Sequence, residues 1–258
     1  MKNLNRTEAA LKYKMTFDYH THTVYSHGFH YNHGKGTISE NAVAAKNKGL
    51  ESIAITDHGP GHKFYGLNLL NIDKMHEEIK KAESENENLR IYLGVEANII
   101  DTKNGLDIEE KDFKKFDFVN AGYHYGLPKG NMIKNWICSH SGLPSGSKAS
   151  LKNKNTDMTL RALYENKIKI LTHPGDKGPF DIEEIAKACA ERKTLMEISA
   201  RHTHLSKDEI KKAMKYNVKF IISSDAHKPE EVGKYEEGII RAVEAGLDIS
   251  RIVNIKER

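Results

Sequence analysis

The 258-residue chain has only two cysteines, six prolines and one tryptophan, and it contains no long apolar run. Cys138 and Cys189 are too few for the disulfide framework that is typical of small secreted proteins. No stretch approaches the roughly 18 apolar residues that a membrane-spanning helix needs. Residues 1–14 are polar and mixed in charge, unlike a secretory signal peptide. These absences predict a cytoplasmic protein that does not enter a membrane.

The chain also lacks a strong excess of one charge. Its 40 lysines and arginines stand against 36 acidic residues, which gives a formal net charge of +4 with neutral histidines. So small and dispersed an excess does not by itself indicate nucleic-acid binding. The hydrophobic content of 38% is enough for a packed core. At this length we expect a single α/β domain that spans residues 1–258.

Histidine, by contrast, is plentiful, and several of the 14 histidines follow short apolar runs. The first pair is His20-Thr21-His22, which comes after an apolar approach at residues 13–17. Side chains at positions i and i+2 of a strand lie on the same face, so both imidazoles can reach one metal ion. Later strand-like runs end in the same kind of ligand, which predicts one shared site.

Strand-like runs near residues 52–56, 91–95, 117–121, 168–172, 194–198 and 220–223 alternate with helix-like stretches. This alternation is typical of parallel βα units, and about seven units indicate a barrel or near-barrel. The predicted helix N-caps are Ser39, Thr156, Asp181 and Ser206, and a final helix is predicted over residues 229–245. Residues 125–155 are rich in Gly, Pro, Ser and Lys and are interpreted as a long loop.

In parallel α/β folds, functional groups collect at the carboxyl ends of the strands. Any single histidine there is more often a hydrogen-bonded loop residue than a ligand. A whole buried cluster without cations, however, would be costly to desolvate. The candidate ligands are His20, His22, His58, Glu96, His124, His173, Asp225 and His227. They exceed the three or four ligands of one zinc ion, so we predict two or three divalent ions, with Zn, Mn and Fe all compatible.

The order and spacing of these motifs resemble the PHP (polymerase and histidinol phosphatase) family. The resemblance rests on His20-x-His22, Thr56-Asp57-His58, Gly94-Val95-Glu96, Gly122-Tyr123-His124, His173-Pro174-Gly175 and Ser224-Asp225-Ala226-His227. It implies a distorted (β/α)7 TIM-like barrel with a two- or three-metal site at the carboxyl ends of the strands. It also implies hydrolysis of phosphate esters, and the chain's size is closer to the small stand-alone phosphatases than to polymerase-attached domains.

The resemblance implies one further ligand, in the loop after the first motif and ahead of a glycine. Counting from His22 favours His27, whereas counting back from the predicted helix at Ser39 favours His33. Both therefore stay candidates, and His30 between them is expected to be a bystander.

Two closely spaced ions would bridge a water and lower its pKa, so metal-bound hydroxide is the expected nucleophile and no protein nucleophile is needed. A triad built from Ser224 and Asp225 is less favoured, because Asp225 and His227 at i and i+2 suit one shared metal. Asp18 and Asp57 are expected to support ligands rather than to bind metal themselves.

Arg201, after the sixth strand, and Lys177, in the fifth βα loop, are the candidates for binding the substrate phosphate. We therefore predict a phosphatase that acts on a small phosphomonoester, with histidinol phosphate as one possibility.

The alternative is an exonuclease or phosphodiesterase that uses the same metals on nucleic-acid ends. The lysines between residues 129 and 154, with Trp136, could supply its track. A non-catalytic metal-binding or sensory barrel, and metal-assisted amide or deamination chemistry, are less favoured. The sequence does not fix the oligomeric state.

Overall fold

The structure is a computed structural model, and it describes residues 6–28, 31–102, 104–125, 127, 130–141 and 144–258. The described residues form eight α-helices, α1 to α8: Arg6–Lys12, Ile38–Asn47, Ile72–Glu85, Met132–His140, Ser145–Glu165, Ile182–Arg192, Lys207–Ala213 and Glu236–Ala245. They also form eleven strands, β1 to β11: Tyr13–Met15, Phe17–Thr21, His27–Gly28, Tyr31–Asn32, Ser52–Ile55, Arg90–Asn98, Phe118–Gly122, Ile168–Leu171, Leu195–Ser199, Phe220–Ser223 and Ile255–Glu257.

Seven strands form one parallel sheet, in the spatial order β10-β9-β8-β7-β6-β5-β2. Every residue of β5 and β10 is buried, as expected where both faces of a sheet are covered. Helices connect most consecutive strands, and α5, α6, α7 and α8 contact one another in sequence order. The sheet curves into a nearly closed barrel, which confirms the predicted seven-stranded TIM-like class.

The seam of the barrel lies between the edge strands β2 and β10. Thr21 and Ala226 form an isolated parallel bridge near its carboxyl end. Nearer the start of β2, Asn254 Nδ2 donates to the carbonyl oxygens of Phe17 at 2.7 Å and Ile222 at 2.6 Å. The side-chain oxygen of Asn254 accepts from Ile222 N at 3.1 Å. One buried amide thus hydrogen-bonds to both edge strands.

Two smaller sheets lie outside the barrel. Strands β1 and β11 pair antiparallel, with Tyr13 opposite Glu257. Strands β3 and β4 form a short antiparallel hairpin in the connection between β2 and α2. This connection is the loop in which the sequence places the additional candidate ligand.

Two of the four predicted helix N-caps, Asp181 and Ser206, agree with the structure. Asp181 and Ser206 accept hydrogen bonds from the first turns of α6 and α7, as predicted. The predicted cap Ser39 is wrong: Thr37 caps α2, and its hydroxyl accepts from Glu40 N at 3.2 Å while Glu40 Oε2 accepts from Thr37 N at 2.8 Å. This reciprocal pair is the capping box of a Thr-x-x-Glu sequence, which Ser39 does not begin.

Residues 125–155 are largely helical, contrary to the loop interpretation. Helix α4 lies within them, and α5 begins at Ser145 rather than at the predicted Thr156. Asn135 of α4 and Asn155 of α5 exchange side-chain hydrogen bonds of 3.1 and 2.7 Å in a buried position. This tertiary pairing joins α4 to α5, whose first turn contains Gly and Ser residues of low intrinsic helix propensity.

The final helix begins at Glu236, not at the predicted Pro229. A short 3-10 turn covers Pro229–Glu231, and Gly233 follows with φ of 70°. That left-handed conformation interrupts any continuous helix and lets Gly233 N donate to the Asp18 carboxylate at 2.8 Å. Among the described residues, no helix combines the length and apolar character needed to cross a bilayer.

Candidate metal centre

The eight strand-end residues that the sequence identifies lie together at the carboxyl end of the barrel. Each is buried, with at most 7% of its surface exposed. Their ligand atoms form four groups, each within 4.8 Å: His22–His58–His227, His20–His173–Asp225, His20–His22–Glu96 and His58–Glu96–His124. Because the groups overlap, neighbouring ions would share ligands, and the arrangement suits more than one ion.

Glu96, near the carboxyl end of β6, lies at the centre of this ligand cluster. Its Oε1 is 3.1 Å from His173 Nε2 and 3.2 Å from His20 Nε2. Its Oε2 is 3.1 Å from His58 Nδ1. The hydroxyl of Thr172 donates to Oε1 at 2.6 Å and helps to fix the carboxylate. The two oxygens of Glu96 face different imidazoles, which is the arrangement expected of a carboxylate that could be shared by two ions.

Backbone irregularities direct several of these side chains into the cluster. The pairing of β2 with β5 shifts register between residues 18 and 21, at a β-bulge, and there the Nε2 atoms of His20 and His22 approach to 3.2 Å. His173 and Asp225 have φ of 26° and 50°, which are unusual for residues with a side chain. Such conformations persist where surrounding structure holds them, and they concentrate at functional sites.

The donor set fits divalent metal ions. The Nε2 atoms of His58 and His227 are buried, and neither has a hydrogen-bond partner in the described part of the chain. A buried nitrogen without a partner costs about 1–3 kcal/mol, which a coordinate bond would remove. Imidazole nitrogens combined with carboxylate oxygens suit zinc, manganese and iron. The number and identity of the ions stay predictions.

The electrostatics of the cluster lower the pKa values of the Glu96 and Asp225 carboxylates and of three imidazoles, those of His58, His173 and His227. Burial raises the pKa of Glu96, but the nearby charges of His20 and His124 outweigh it and hold that pKa well below its usual value. Burial lowers the pKa of His58 well below normal and that of His227 to about 2. His20 is the exception, because the carboxylates around it raise its pKa despite burial. Ionised carboxylates and unprotonated imidazoles are the metal-binding forms.

Glu197, which the sequence analysis did not identify, orients two residues of the cluster. Its Oε1 is 2.7 Å from His20 Nδ1, so the opposite ring nitrogen of His20 faces the cluster. Its Oε2 accepts from His173 N at 2.7 Å. A carboxylate on the second nitrogen of a ligating histidine fixes the ring and raises its basicity. One feature of the sequence could have indicated this role: Glu197 is an acidic residue within an apolar strand, between Met196 and Ile198.

Asn98 has the same relation to His124 and was also missed. Its side-chain oxygen is 2.7 Å from His124 Nδ1. Asp107 accepts from Asn98 Nδ2 at 2.6 Å and holds the amide in that orientation. No local sequence motif signals this contact, because it depends on the turn after β6 folding back on the strand.

Asp18 and Asp57 lie beneath the cluster and belong to none of the four groups. Asp57 accepts from Thr23 N at 2.7 Å, Thr23 Oγ1 at 2.6 Å and Ser26 Oγ at 2.6 Å, and thus fixes the chain that leaves β2. Asp18 accepts from the Ser224 hydroxyl. Because Ser224 donates to Asp18, the structure does not assemble it with a histidine as a catalytic triad.

The two loop candidates occupy different environments. The ring centre of His33 lies 4.2 Å from that of His227, and the ring stacks on Tyr65 at 4.0 Å. Burial lowers the pKa of His33 to about 3. His27, in β3, is exposed, and the structure does not bring it to the cluster. His30 lies outside the described residues.

The two candidate phosphate-binding residues lie near solvent. Arg201 Nε is 4.0 Å from Asp225 Oδ2, its Nη1 is 3.1 Å from Glu231 Oε2, and 39% of its side chain is exposed. Lys177 forms an ion pair with its neighbour Asp176. Arg201 therefore lies beside the ligand cluster. Lys177 pairs with Asp176, and a further residue connects Asp176 to the cluster ligand Asp225.

That link is His202. Its Nδ1 is 3.3 Å from Asp176 Oδ2 and its Nε2 is 3.0 Å from Asp225 Oδ2. Burial lowers the pKa of His202, but hydrogen bonds to the two carboxylates outweigh burial and raise it to about 9. A protonated His202 joins Arg201 and Lys177 on this side of the site, and these three cations face the carboxylates of Asp176, Asp225 and Glu231.

Comparisons with known proteins agree with this architecture. The PHP domain family model matches residues 18–246. A probable phosphatase of Thermoanaerobacter sp. (strain X514) is 32% identical over 255 residues, which cover 93% of this chain and 91% of that protein. A probable phosphatase of Acetivibrio thermocellus is 29% identical over 234 residues, which cover 86% of this chain and 84% of that protein.

Among solved structures, the histidinol phosphate phosphatase of Lactococcus lactis subsp. lactis Il1403, in complex with Zn, L-histidinol and phosphate, has a similar fold. The TM-score is 0.58 at 16% identity, with 91% of this chain and 95% of that chain covered. At 16% identity, this similarity shows a shared fold. The family model and the relative with 32% identity show common ancestry. Together with the ordered strand-end motifs, they show that the chain belongs to the PHP domain family.

Proposed function

We propose that the chain is a metal-dependent phosphatase that hydrolyses a small phosphomonoester at the carboxyl end of its barrel. The observation that carries this proposal is the buried cluster of eight histidine and carboxylate ligands centred on Glu96. The description of relatives as probable phosphatases supports the reaction class. The histidinol phosphate phosphatase with a similar fold makes a phosphomonoester the first substrate class to test.

We assign two or three divalent ions to the ligand cluster, with His33 preferred to His27 as the additional ligand. Ions bound there would lower the pKa of the attacking water and neutralise charge on the phosphate oxygens. The protein's own contribution is to keep Glu96 and Asp225 ionised next to neutral imidazoles. Because the cluster is buried, electrostatic interactions with a bound phosphate are stronger than they would be in water.

Arg201, His202 and Lys177 are assigned to phosphate binding. Arg201 presents a partly exposed guanidinium next to Asp225, and a guanidinium can donate two parallel hydrogen bonds to a phosphate. His202 is held between two carboxylates and stays protonated at neutral pH. Together the three side chains supply hydrogen-bond donors for phosphate oxygens beside the ligand cluster.

The test combines elemental analysis with hydrolysis of a chromogenic phosphomonoester by metal-replete protein, before and after chelation. We expect two or three transition-metal ions per chain, and activity that chelation abolishes and metal restores. Asp225→Ala and His227→Ala should lose both metal and hydrolysis. Asp208→Ala, which removes a carboxylate that is 86% exposed on α7, is the matched control and should behave as wild type.

Full activity in Asp225→Ala would exclude the cluster as the reaction site. Hydrolysis of a single-stranded oligonucleotide without hydrolysis of monoesters would replace the proposed substrate class with nucleic-acid ends. Folded protein that binds no metal under metal-replete conditions would contradict the assignment of ions.

A further inference from the structure

The amino-terminal end of the barrel contains a cavity of about 710 Å³, at the opposite end from the ligand cluster. Its lining comes from Tyr19 of β2, from Tyr92 near the start of β6, and from residues just before or at the start of β7, β8 and β9. The cluster residues lie near or after the carboxyl ends of the strands. Small-molecule sites usually measure about 300–1,000 Å³, so the cavity has the size of a ligand site.

Aromatic rings form one wall of this amino-terminal cavity. The ring centre of Tyr19 lies 5.4 Å from that of Tyr92 and 5.5 Å from that of Phe118. All three rings are only partly buried. The Tyr19 hydroxyl is 3.1 Å from Ser52 Oγ, so its polar end already has a partner within the protein. Partly exposed rings in a concave surface favour a planar apolar group, through stacking and edge contacts.

Lysines form the rim. Lys167, Lys169 and Lys193 line the cavity and are exposed, and none of them forms an ion pair within the described ranges. Arg192 adds a fourth cation, and its Nε donates to Leu163 O at 3.1 Å. Four cations around one concave surface favour an anion, because none of them forms an ion pair with a described carboxylate.

One acidic residue also lines the cavity, and its role is structural. Asp117 precedes β7, and its Oδ2 accepts from Leu93 N at 2.8 Å, which fixes the start of β7 against β6. The lining therefore carries four positive charges against one negative charge that is hydrogen-bonded to the backbone. Its charge balance differs from that of the whole chain, which is close to neutral.

We propose that this cavity is a second binding site, separate from the ligand cluster, for a small aromatic anion. The ligand would have a planar ring system that contacts Tyr19, Tyr92 and Phe118, and an anionic group that pairs with Lys167 and Lys169. Lysines alone would hold an anion only weakly at the surface. An apolar ligand without charge would gain nothing from the rim. The aromatic wall and the lysine rim together favour a ligand that has both a planar ring system and an anionic group.

The probes are 1-naphthalenesulfonate, which has both features, and naphthalene-1-methanol, which lacks the charge. Isothermal titration calorimetry is done on metal-replete protein in saturating inorganic phosphate, so that simple anion sites, including the ligand cluster, are occupied. We expect one naphthalenesulfonate per chain and binding of the alcohol at least about tenfold weaker, a difference of about 1.4 kcal/mol.

Charge reversal locates the site. Lys169→Glu and Lys167→Glu are exposed substitutions and should each weaken naphthalenesulfonate binding about tenfold, because each replaces an attraction with a repulsion. Lys80→Glu, on the exposed face of α3, changes the net charge equally and should leave binding unchanged.

Absence of binding in saturating phosphate would overturn the proposal. Equal binding of the alcohol would show that the rim does not recognise an anion and would overturn it as well. An equal loss in Lys80→Glu and Lys169→Glu would attribute binding to net charge, again contrary to the proposal. Because the titration does not measure hydrolysis, its failure would leave the proposed phosphatase function untouched.

Discussion

Glu197 orients the ligand cluster without belonging to it. Its two oxygens hold the His20 ring and the His173 backbone amide, so a change here affects two neighbouring ligands at once. Because the side chain is buried, no solvent can replace the lost contacts. Since both contacts position metal ligands, substitution is expected to lower metal affinity.

We expect Glu197→Gln to weaken metal binding about 10–100-fold, the usual cost of removing a carboxylate that supports a histidine ligand. Competition with a chromogenic chelator measures this affinity directly. Excess metal should restore much of the hydrolytic activity, since the ligands themselves remain. Glu183→Gln, at a surface pair with Lys215, is the control. Unchanged affinity in Glu197→Gln would mean that His20 is oriented by other contacts.

The loop histidines give a second prediction at this scale. His33→Ala should lower both bound metal and activity, because His33 lies beside His227 and is packed on Tyr65. His27→Ala should retain wild-type values, because His27 is exposed. Metal content and hydrolysis are measured on both variants. Equal and mild effects would indicate that this loop supplies no ligand.

The strand-end residues were predictable from sequence because the two-residue period of a strand places His20 and His22 on one face. Glu197 and Asn98 were not, since their partners lie on other strands and only the closed barrel brings them together. The choice between His27 and His33 likewise depends on the pairing of β3 with β4, which the spacing in the sequence does not reveal.

Helix α2 shows how a local motif competes with a single-residue signal. Ser39 is a good N-cap residue type, yet the chain uses Thr37, because Glu40 completes a capping box only from that position. The sequence contained this information, and a search for the pair instead of the single residue would have found it. In α5 the residue before the helix is Pro144, which makes no side-chain cap hydrogen bond, so no local capping pattern predicts the helix start.

Thr37→Ala should therefore reduce the free energy of unfolding by about 1 kcal/mol, the usual cost of losing an N-cap. Ser39→Ala is the matched control and should change it by less than about 0.5 kcal/mol, as is typical of exposed sites. Urea denaturation measures both. A larger loss in Ser39→Ala than in Thr37→Ala would contradict the observed cap.

The molecule as a whole is a parallel barrel whose two ends carry different chemistry. The alternation of apolar runs with helix-like stretches predicted parallel βα units and a barrel, so the fold class was predictable from sequence. The amino-terminal cavity was not, because Tyr19, Tyr92 and Phe118 resemble ordinary core residues in a strand. Only the open lower end of the barrel leaves them partly exposed and places lysines around them.

Chelation should lower the thermal stability of the whole barrel, since ions that bind only the folded state stabilise it by mass action. At a free metal concentration about 100 times the dissociation constant the contribution is about 2.7 kcal/mol, which corresponds to about 5–10 °C in Tm at this chain length. Differential scanning fluorimetry with and without chelator measures the shift. An unchanged Tm would contradict a folded-state metal site.

The seam between β2 and β10 also bears on the order in which the chain folds and binds metal. Asp18 and Ser224, which hydrogen-bond across it, are 206 residues apart in sequence. Closing a loop of that length costs about 5 kcal/mol of chain entropy, and the cost falls on whichever contact forms first. Once Asn254 and Asp18 have joined the two edge strands, His22 and Asp225 face each other with little further entropy to lose. An ion that binds the closed barrel keeps its full binding free energy. An ion that binds the open chain loses part of that free energy to the entropy of closing the loop. Chain statistics thus favour folding before metal capture.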